Sequence, residues 1–489
     1  MITFAIGVLI LLAGYALYGR VVERMFGPDD RPTPAVAAPD GVDRMPLPQW
    51  KNLMIQLLNI AGVGPVIGVI LGIKFGAVVF IILPIGNVIG GAVHDYFSGM
   101  IAMRHNGANM PVLARLYLGR RICHLYAWFL FVTLLLVGAV FINIPAQILA
   151  GGCGRGVLWG VIGAIFVYYF ASAFFPIDAV IGRIYPYFGA LLVLSSLAVI
   201  TMLAPHMGSL SEFDLTALGA NFRRHPDHEP IIPMLFVTIA CGIISGFHST
   251  QAPIVARTAT SERQGRLLFY GMMITEGVIG MIWAAGGMAL YAHTPELLKS
   301  GAGASLLRTL VTWLLGPIGG WVALSGVIVL AITSGDTALR SLRLAVAEYA
   351  GVDQKPVGKR LATTVPIFLA VAGLLAWSSA DPGGFKTLWN YFAWSNQVLA
   401  VFALMIAAAW LSAAGKPPWI ALIPGAFMLF VVATYILWVS PENLAGAPVG
   451  LGLPYGVALA IAAALTCVIS AWVWRLKPRL QGRLLDAGA

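Results

Sequence analysis

Apolar runs of membrane-spanning length recur along the whole sequence. A bilayer's hydrocarbon core is crossed by roughly 20 apolar residues in a helix, with a usual range of about 17–25. Thirteen windows fit: 1–18, 53–72, 77–103, 123–150, 157–175, 186–204, 231–247, 266–291, 309–334, 361–379, 391–412, 418–438 and 453–474. Lipid offers backbone N–H and C=O groups no partner, so segments of this kind satisfy them internally as helices. The expectation is an all-α polytopic membrane protein. Only 10% of the residues are charged, against about 25% in soluble domains. The 55 glycines and 29 prolines also suit transmembrane helices, which tolerate both better than soluble ones.

The net charge of +10 would permit nucleic-acid binding, but no Lys/Arg tract exceeds two residues, and the basic residues sit between the apolar windows. They read instead as topogenic charge. With the N-terminus outside, 23 of the 30 Lys and Arg fall in inner loops and 7 in outer ones. The positive-inside rule then predicts a cell (inner) membrane protein with its C-terminus in the cytoplasm. Residues 1–18 lack a basic leader and a small-residue cleavage site, so an uncleaved first span is expected. Cys123, Cys153, Cys241 and Cys467 form no C-x-x-C pair and read as small buried side chains. No Walker A, H-E-x-x-H or G-x-S-x-G pattern occurs. Hence neither ATP, a metal nor a cofactor is expected; a transporter is the reading, with a membrane-embedded enzyme as the rival of another class, for which Asp95, His248 and Glu276 could form the constellation. A channel would need rings of charge or a repeated carbonyl filter, and neither pattern is present.

Two windows are interrupted. The second reads LLNIAGVGPVIGVILG (57–72), with Gly62, Gly64 and Pro65 in mid-membrane; the seventh reads LFVTIACGIISGFHSTQAP (235–253), with Gly242, Ser245, Gly246 and His248 ahead of Pro253. Pro removes a backbone donor and Gly weakens a helix. Each opens a block of five spans, 53–204 and 231–412, and an odd number of spans makes the two blocks enter the membrane from opposite sides. That arithmetic predicts an inverted repeat, flanked by an extra N-terminal span and loop (1–52) and two C-terminal spans with a tail (418–489). Paired interruptions of this kind point to a transporter's midplane site. The competing reading is that the small residues only let helices pack closely.

Several motifs together resemble the carbon-starvation protein A (CstA) family: IAGVGPVIGV (60–69), GAVHDYFSGM (91–100), ACGIISGFHSTQAP (240–253), SGDTALRSLR (334–343) and DPGGFKTLWNYFAWSNQVLA (381–400), with the loop TPAVAAPDGVDRMP (33–46). The resemblance runs from about Tyr15 to Trp410, with His94 and Val69 departing from the family's pattern. It implies a link to the amino-acid/polyamine/organocation transporters and their LeuT-like 5+5 inverted repeat. It also implies a peptide or pyruvate as solute and a carbon-starvation context.

Ionisable residues inside a membrane are functional hypotheses by default. His94, Asp95, Glu276 and Asp336 are the proton-coupling candidates. Asp95 either exchanges a proton or pairs with Arg104 or Arg115, and Asp336 shares a helical face with Arg340 and Arg343. The substrate-site candidates are Gly62, Gly64, Pro65, Ser245, Gly246, His248 and Asn396, where half-helix N-termini suit a carboxylate. Asn143, Gln147, Trp394 and Gln397 read as interhelical hydrogen-bonding groups. By analogy with the LeuT-like fold, Thr333, Ser334 and Thr337 would line a cation site. The function expected is a secondary transporter importing a small carboxylate or short peptide with protons, a sodium-coupled symporter being the alternative. Its partners would be the solute, the coupling ion and membrane lipid.

Overall fold

In the computed structural model, residues 1–39, 44–151, 153–173, 177–300, 303–354, 356–381, 383–444 and 450–476 are described. Among these residues the structure is helical with no strand. Eleven continuous helices are long and apolar enough to span a membrane, and the pair Gln49–Ile60 and Gly64–Phe75, bent by 56°, makes a twelfth span. The remaining expected window, 231–247, falls in a series of short helical pieces that ends with Gly246–Ala256.

Two boundaries differ from expectation for identifiable reasons. The first helix does not stop at residue 18 but runs Ile2–Phe26. Its last turns bury Val22 and Phe26 while Arg20 stays exposed; the helix ends where Gly27 takes φ +70°. The window 309–334 lies within a far longer helical stretch, Gly303–Ala350, kinked at Gly316 (φ +71°) before Pro317. Arg340 and Arg343, counted among the inner-loop charges and expected on one helical face with Asp336, are buried in that helix.

Burial sorts the helices into centre and rim. In the most apolar stretch of Glu262–His293 and of Gly384–Ala413, 83% of residues are buried, against 17% in Tyr455–Arg475. Large apolar side chains such as Trp128, Val167, Leu194 and Val468 face outward, which suits lipid and not water. Helix Glu262–His293 packs on both halves of the bent span, and Gly246–Ala256 packs on Val79–Arg104 and on Gly384–Ala413. The two interrupted segments thus lie in the most buried part of the bundle.

Candidate functional site

The first interruption follows from its sequence. Pro65 has no N–H to offer the Ala61 carbonyl, and Ala61 leaves the helix at φ −73°, ψ 64°. The second opens at Ile244 (φ −164°, ψ 129°) and Ser245 (φ −131°, ψ 120°), two extended residues before the helix restarts at Gly246. Each break frees backbone groups that lipid cannot satisfy, and polar side chains from packed helices take them up. Ser334 Oγ donates to the Leu58 carbonyl (3.1 Å). Asn87 Nδ2 donates to the carbonyls of Gly242 and Met273 (3.0 Å each), and Gln397 Nε2 to that of Phe236. Asn396 Oδ1 accepts from the Phe247 amide (2.7 Å), and its Nδ2 donates to Ser245 Oγ (2.9 Å). The N-terminus of Gly246–Ala256 is therefore already capped by Asn396.

The glycines join the two breaks. A Cβ on Gly68 would stand 2.7 Å from the Thr238 carbonyl oxygen, and one on Gly64 or Gly72 would meet Cys241 or Ile239. Gly246 lies against the backbone of Asn396 and Ala400. Gly62 faces Phe141 and Ser334. Close packing and an irregular backbone thus coexist at Gly64, Gly246 and their neighbours.

Beside the second break four ionisable groups form a chain. Asp95 accepts from His94 Nδ1 (2.8 Å) on one carboxylate oxygen and from His248 Nδ1 (3.0 Å) on the other. His248 Nε2 lies 3.8 Å from Glu276 Oε2. All four side chains are buried. They come from three elements: His94 and Asp95 from Val79–Arg104, His248 from the turn after the break, and Glu276 from Glu262–His293. With Nδ1–H given to Asp95, His248 presents Nε2 to Glu276, so one imidazole stands between two carboxylates. The alternative partner for Asp95 is corrected: Arg104 binds Glu262 instead, through Nε and Nη2 at 3.0 Å each.

Asp336 accepts from Ser172 Oγ (2.8 Å), and Arg340 Nη2 donates to the Ser172 carbonyl (3.0 Å). Both anchor Gly303–Ala350 to the end of Arg155–Ser172. Thr333 and Thr337 donate to carbonyls of their own helix (3.0 and 3.1 Å), while Ser334 faces the first break. Asn143 accepts from Gln147 one turn on, and Trp394 Nε1 donates to the Val432 carbonyl (3.0 Å), as interhelical hydrogen bonding predicts for the tryptophan.

A cavity of about 430 Å³ runs to the interruptions from the end of the bundle opposite Arg104. Its floor includes Ile67 of the first interrupted segment and Val237 and Thr238 of the second. Sequence reasoning missed this cavity and missed Asn87. Asn87 stands mid-window in PIGNVIGG, and a lone amide in an apolar run is a signal of a backbone group to be satisfied. Gln56 and Asn59, in the last two turns before the first break, are buried, and their amides make no hydrogen bond among the described residues.

Membrane-length helices packed around two interrupted segments, with buried ionisable groups beside the second, define a polytopic membrane protein. Residues 1–174, 157–305 and 302–435 match the family described as Carbon starvation protein CstA, and the chain belongs to that family. An uncharacterized membrane protein of Haemophilus influenzae is 39% identical over 363 residues, covering 63% of this chain and 96% of that one. Proteins named peptide transporter CstA are 25% identical in Campylobacter jejuni (86% of this chain, 78% of that one) and 24% identical in Escherichia coli (87% and 79%). In fold, the chain resembles a manganese transporter of Eremococcus coleocola (TM-score 0.56, 11% identity, covering 91% of this chain and 98% of that one).

Proposed function

We propose that this protein is a secondary active transporter that imports a small carboxylate-bearing nutrient, a short peptide or pyruvate, together with protons in a carbon-starvation context. The observation that carries the reading is the buried chain His94–Asp95–His248–Glu276, which ties the second break to two neighbouring helices. A proton moving between Asp95 and Glu276 through His248 alters the attraction across that break, which is what coupling requires. Residues 53–204 and 231–412 act as two inverted five-span repeats of LeuT-like type, with the N-terminus outside and the C-terminus in the cytoplasm. The solute sits beside the two breaks, with the amides of Gln56 and Asn59, which have no partner among the described residues, as added hydrogen-bonding groups.

A sodium-coupled reading draws on Ser334, whose hydroxyl faces the first break beside Thr333 and Thr337. One experiment separates the two: uptake of Ala-Ala and of pyruvate by purified protein in proteoliposomes, under an imposed proton or sodium gradient. Accumulation driven by the proton gradient alone supports proton coupling. Accumulation driven by sodium alone replaces that reading with the second, and turnover of either compound without a gradient would overturn transport.

A further inference from the structure

The cavity that reaches the two breaks has a charged rim that the transport reading leaves unused. Four charges line it: Lys74, at the end of the first interrupted segment; Asp227 and Glu229, in the sequence HPDHE; and Lys386, in Gly384–Ala413. Asp227 and Lys386 are exposed, Lys74 and Glu229 are half-buried, and the floor residues Ile67, Ile144 and Ala393 are buried. The cavity therefore grades from a charged mouth to an apolar base. Its volume falls in the roughly 300–1,000 Å³ range of small-molecule sites.

The charges work as a group. Burial, followed by Asp227, pushes the Glu229 carboxyl above its ordinary value, while Lys386 and Lys74 pull it back. Burial holds the intervening His225 down at about 4, so it is neutral near pH 7. Its Nδ1 accepts from the Asp227 amide (3.3 Å), its Nε2 lies 3.8 Å from Glu229 Oε2, and its ring packs 4.5 Å from that of Phe75. His225, Asp227 and Glu229 bring their ligand atoms within 4.8 Å of one another, a spacing that would admit a metal ion. Lys74 and Lys386 line the same cavity, and their positive charges oppose a bare divalent cation there. A ligand carrying both signs meets no such penalty.

We propose that this cavity is the first binding site for solutes bearing a free α-ammonium and a free α-carboxylate. Lys74 and Lys386 hold the carboxylate, Asp227 and Glu229 hold the ammonium, and the apolar base receives the side chains. His225 braces the turn that presents the two acids. Solute held here lies against Ile67 and Thr238, next to the breaks through which it would pass. The proposal rests on the transport reading above and adds which end groups the solute must carry. Free amino acids and short peptides share this chemistry.

The test is initial-rate uptake in proteoliposomes of alanine, Ala-Ala, N-acetyl-Ala-Ala and pyruvate. It compares the wild-type chain with Asp227→Asn/Glu229→Gln and with Lys74→Gln/Lys386→Gln. The acidic pair of changes should raise KM for Ala-Ala at least tenfold and leave pyruvate, which has no ammonium, unchanged. The lysine pair should raise KM for both. N-acetyl-Ala-Ala should already be a poor solute for the wild type, and whichever of alanine and Ala-Ala has the lower KM identifies the source. Should a double variant fail to fold, the exposed single changes Asp227→Asn and Lys386→Gln carry the same comparison. Wild-type KM for Ala-Ala in the acidic variant, or equal uptake of acetylated and free dipeptide, overturns this site while leaving transport intact. A wild-type protein that accumulates none of the four solutes under any gradient overturns both readings.

Discussion

Replacing Asp95 by Asn removes one charge from the buried chain and changes little else in shape. The carboxylate accepts two hydrogen bonds, at 2.8 Å from His94 and 3.0 Å from His248, with no access to solvent. Hydrogen bonds to a charged group contribute about 1.5–3 kcal/mol each, and neutral ones about 0.5–1.5. An asparagine can keep both contacts only as neutral bonds, with one imidazole switching tautomer to accept from the amide. The expected loss is about 2–3 kcal/mol. Asp95→Ala leaves both rings without the partner and costs about 1–3 kcal/mol more for each group left unsatisfied. Unfolding of the purified protein in detergent should order the variants as wild type, Asn, Ala. A double-mutant cycle with His248→Gln should give a coupling within the range of about 0.5–3 kcal/mol found for contacting residues. In proteoliposomes, Asp95→Asn should lose stimulation of uptake by an inward proton gradient while solute exchange at equal pH continues. If Asp95→Asn keeps both its unfolding midpoint and its gradient-driven uptake, the reasoning about this chain is wrong.

Three other outcomes test the packing of the bundle and the tie at the first residues. Gly246→Ala should destabilise the protein by about 1–3 kcal/mol or more, because the new Cβ meets the backbone of Asn396 and Ala400. Gly160→Ala, with nothing within 4 Å, should be neutral or slightly stabilising in the same unfolding assay. Asn87→Ala leaves the Gly242 and Met273 carbonyls unpaired at about 1–3 kcal/mol each, and should lower the unfolding midpoint more than Asn443→Ala at the bundle's edge. Burial raises the Glu212 carboxyl, but hydrogen bonds from the N-terminal ammonium and from Thr3 and Ile2 outweigh it and hold the group at about 2. Because this folded-state value is depressed, the stabilisation is complete above the ordinary carboxylate range and is lost as pH falls through about 2. Hydrogen exchange of the Ile2 and Thr3 amides should stay protected at pH 5 and lose protection in strong acid; pH-independent protection would contradict this.

The membrane class was legible because it depends on runs of residues, and lipid imposes helices on any such run. The interruptions were legible at Gly62–Pro65 and at Ser245–Gly246 because Pro and Gly act locally. What those glycines touch was not, since Gly64 meets Cys241 across 177 positions of sequence. Asp95 and His248 could each be named as costly inside a membrane. Their pairing through opposite carboxylate oxygens depends on how two helices pack, and helical spacing says nothing about that. The first helix outran its apolar window because Val22 and Phe26 interleave with Arg20 and Arg24, and average hydropathy is blind to which face each residue takes. The charged rim of the cavity hid in plain view. Lys74 lay in the short link between two windows and HPDHE lay in a loop, where charge is ordinary until folding gathers it around one space.

Gly64, Gly68 and Gly72 recur every four residues along the segment that meets Thr238–Cys241. Each presents a bare backbone at nearly the same height of successive turns. A shift by one such spacing, about 6 Å at 1.5 Å per residue, would bring another glycine to the same seat, while Val66 and Ile70, two residues on from a glycine, keep to the opposite face. If the two interrupted segments move past each other, the stripe favours positions spaced by whole glycine intervals, because only there does a glycine's bare backbone meet the opposing chain.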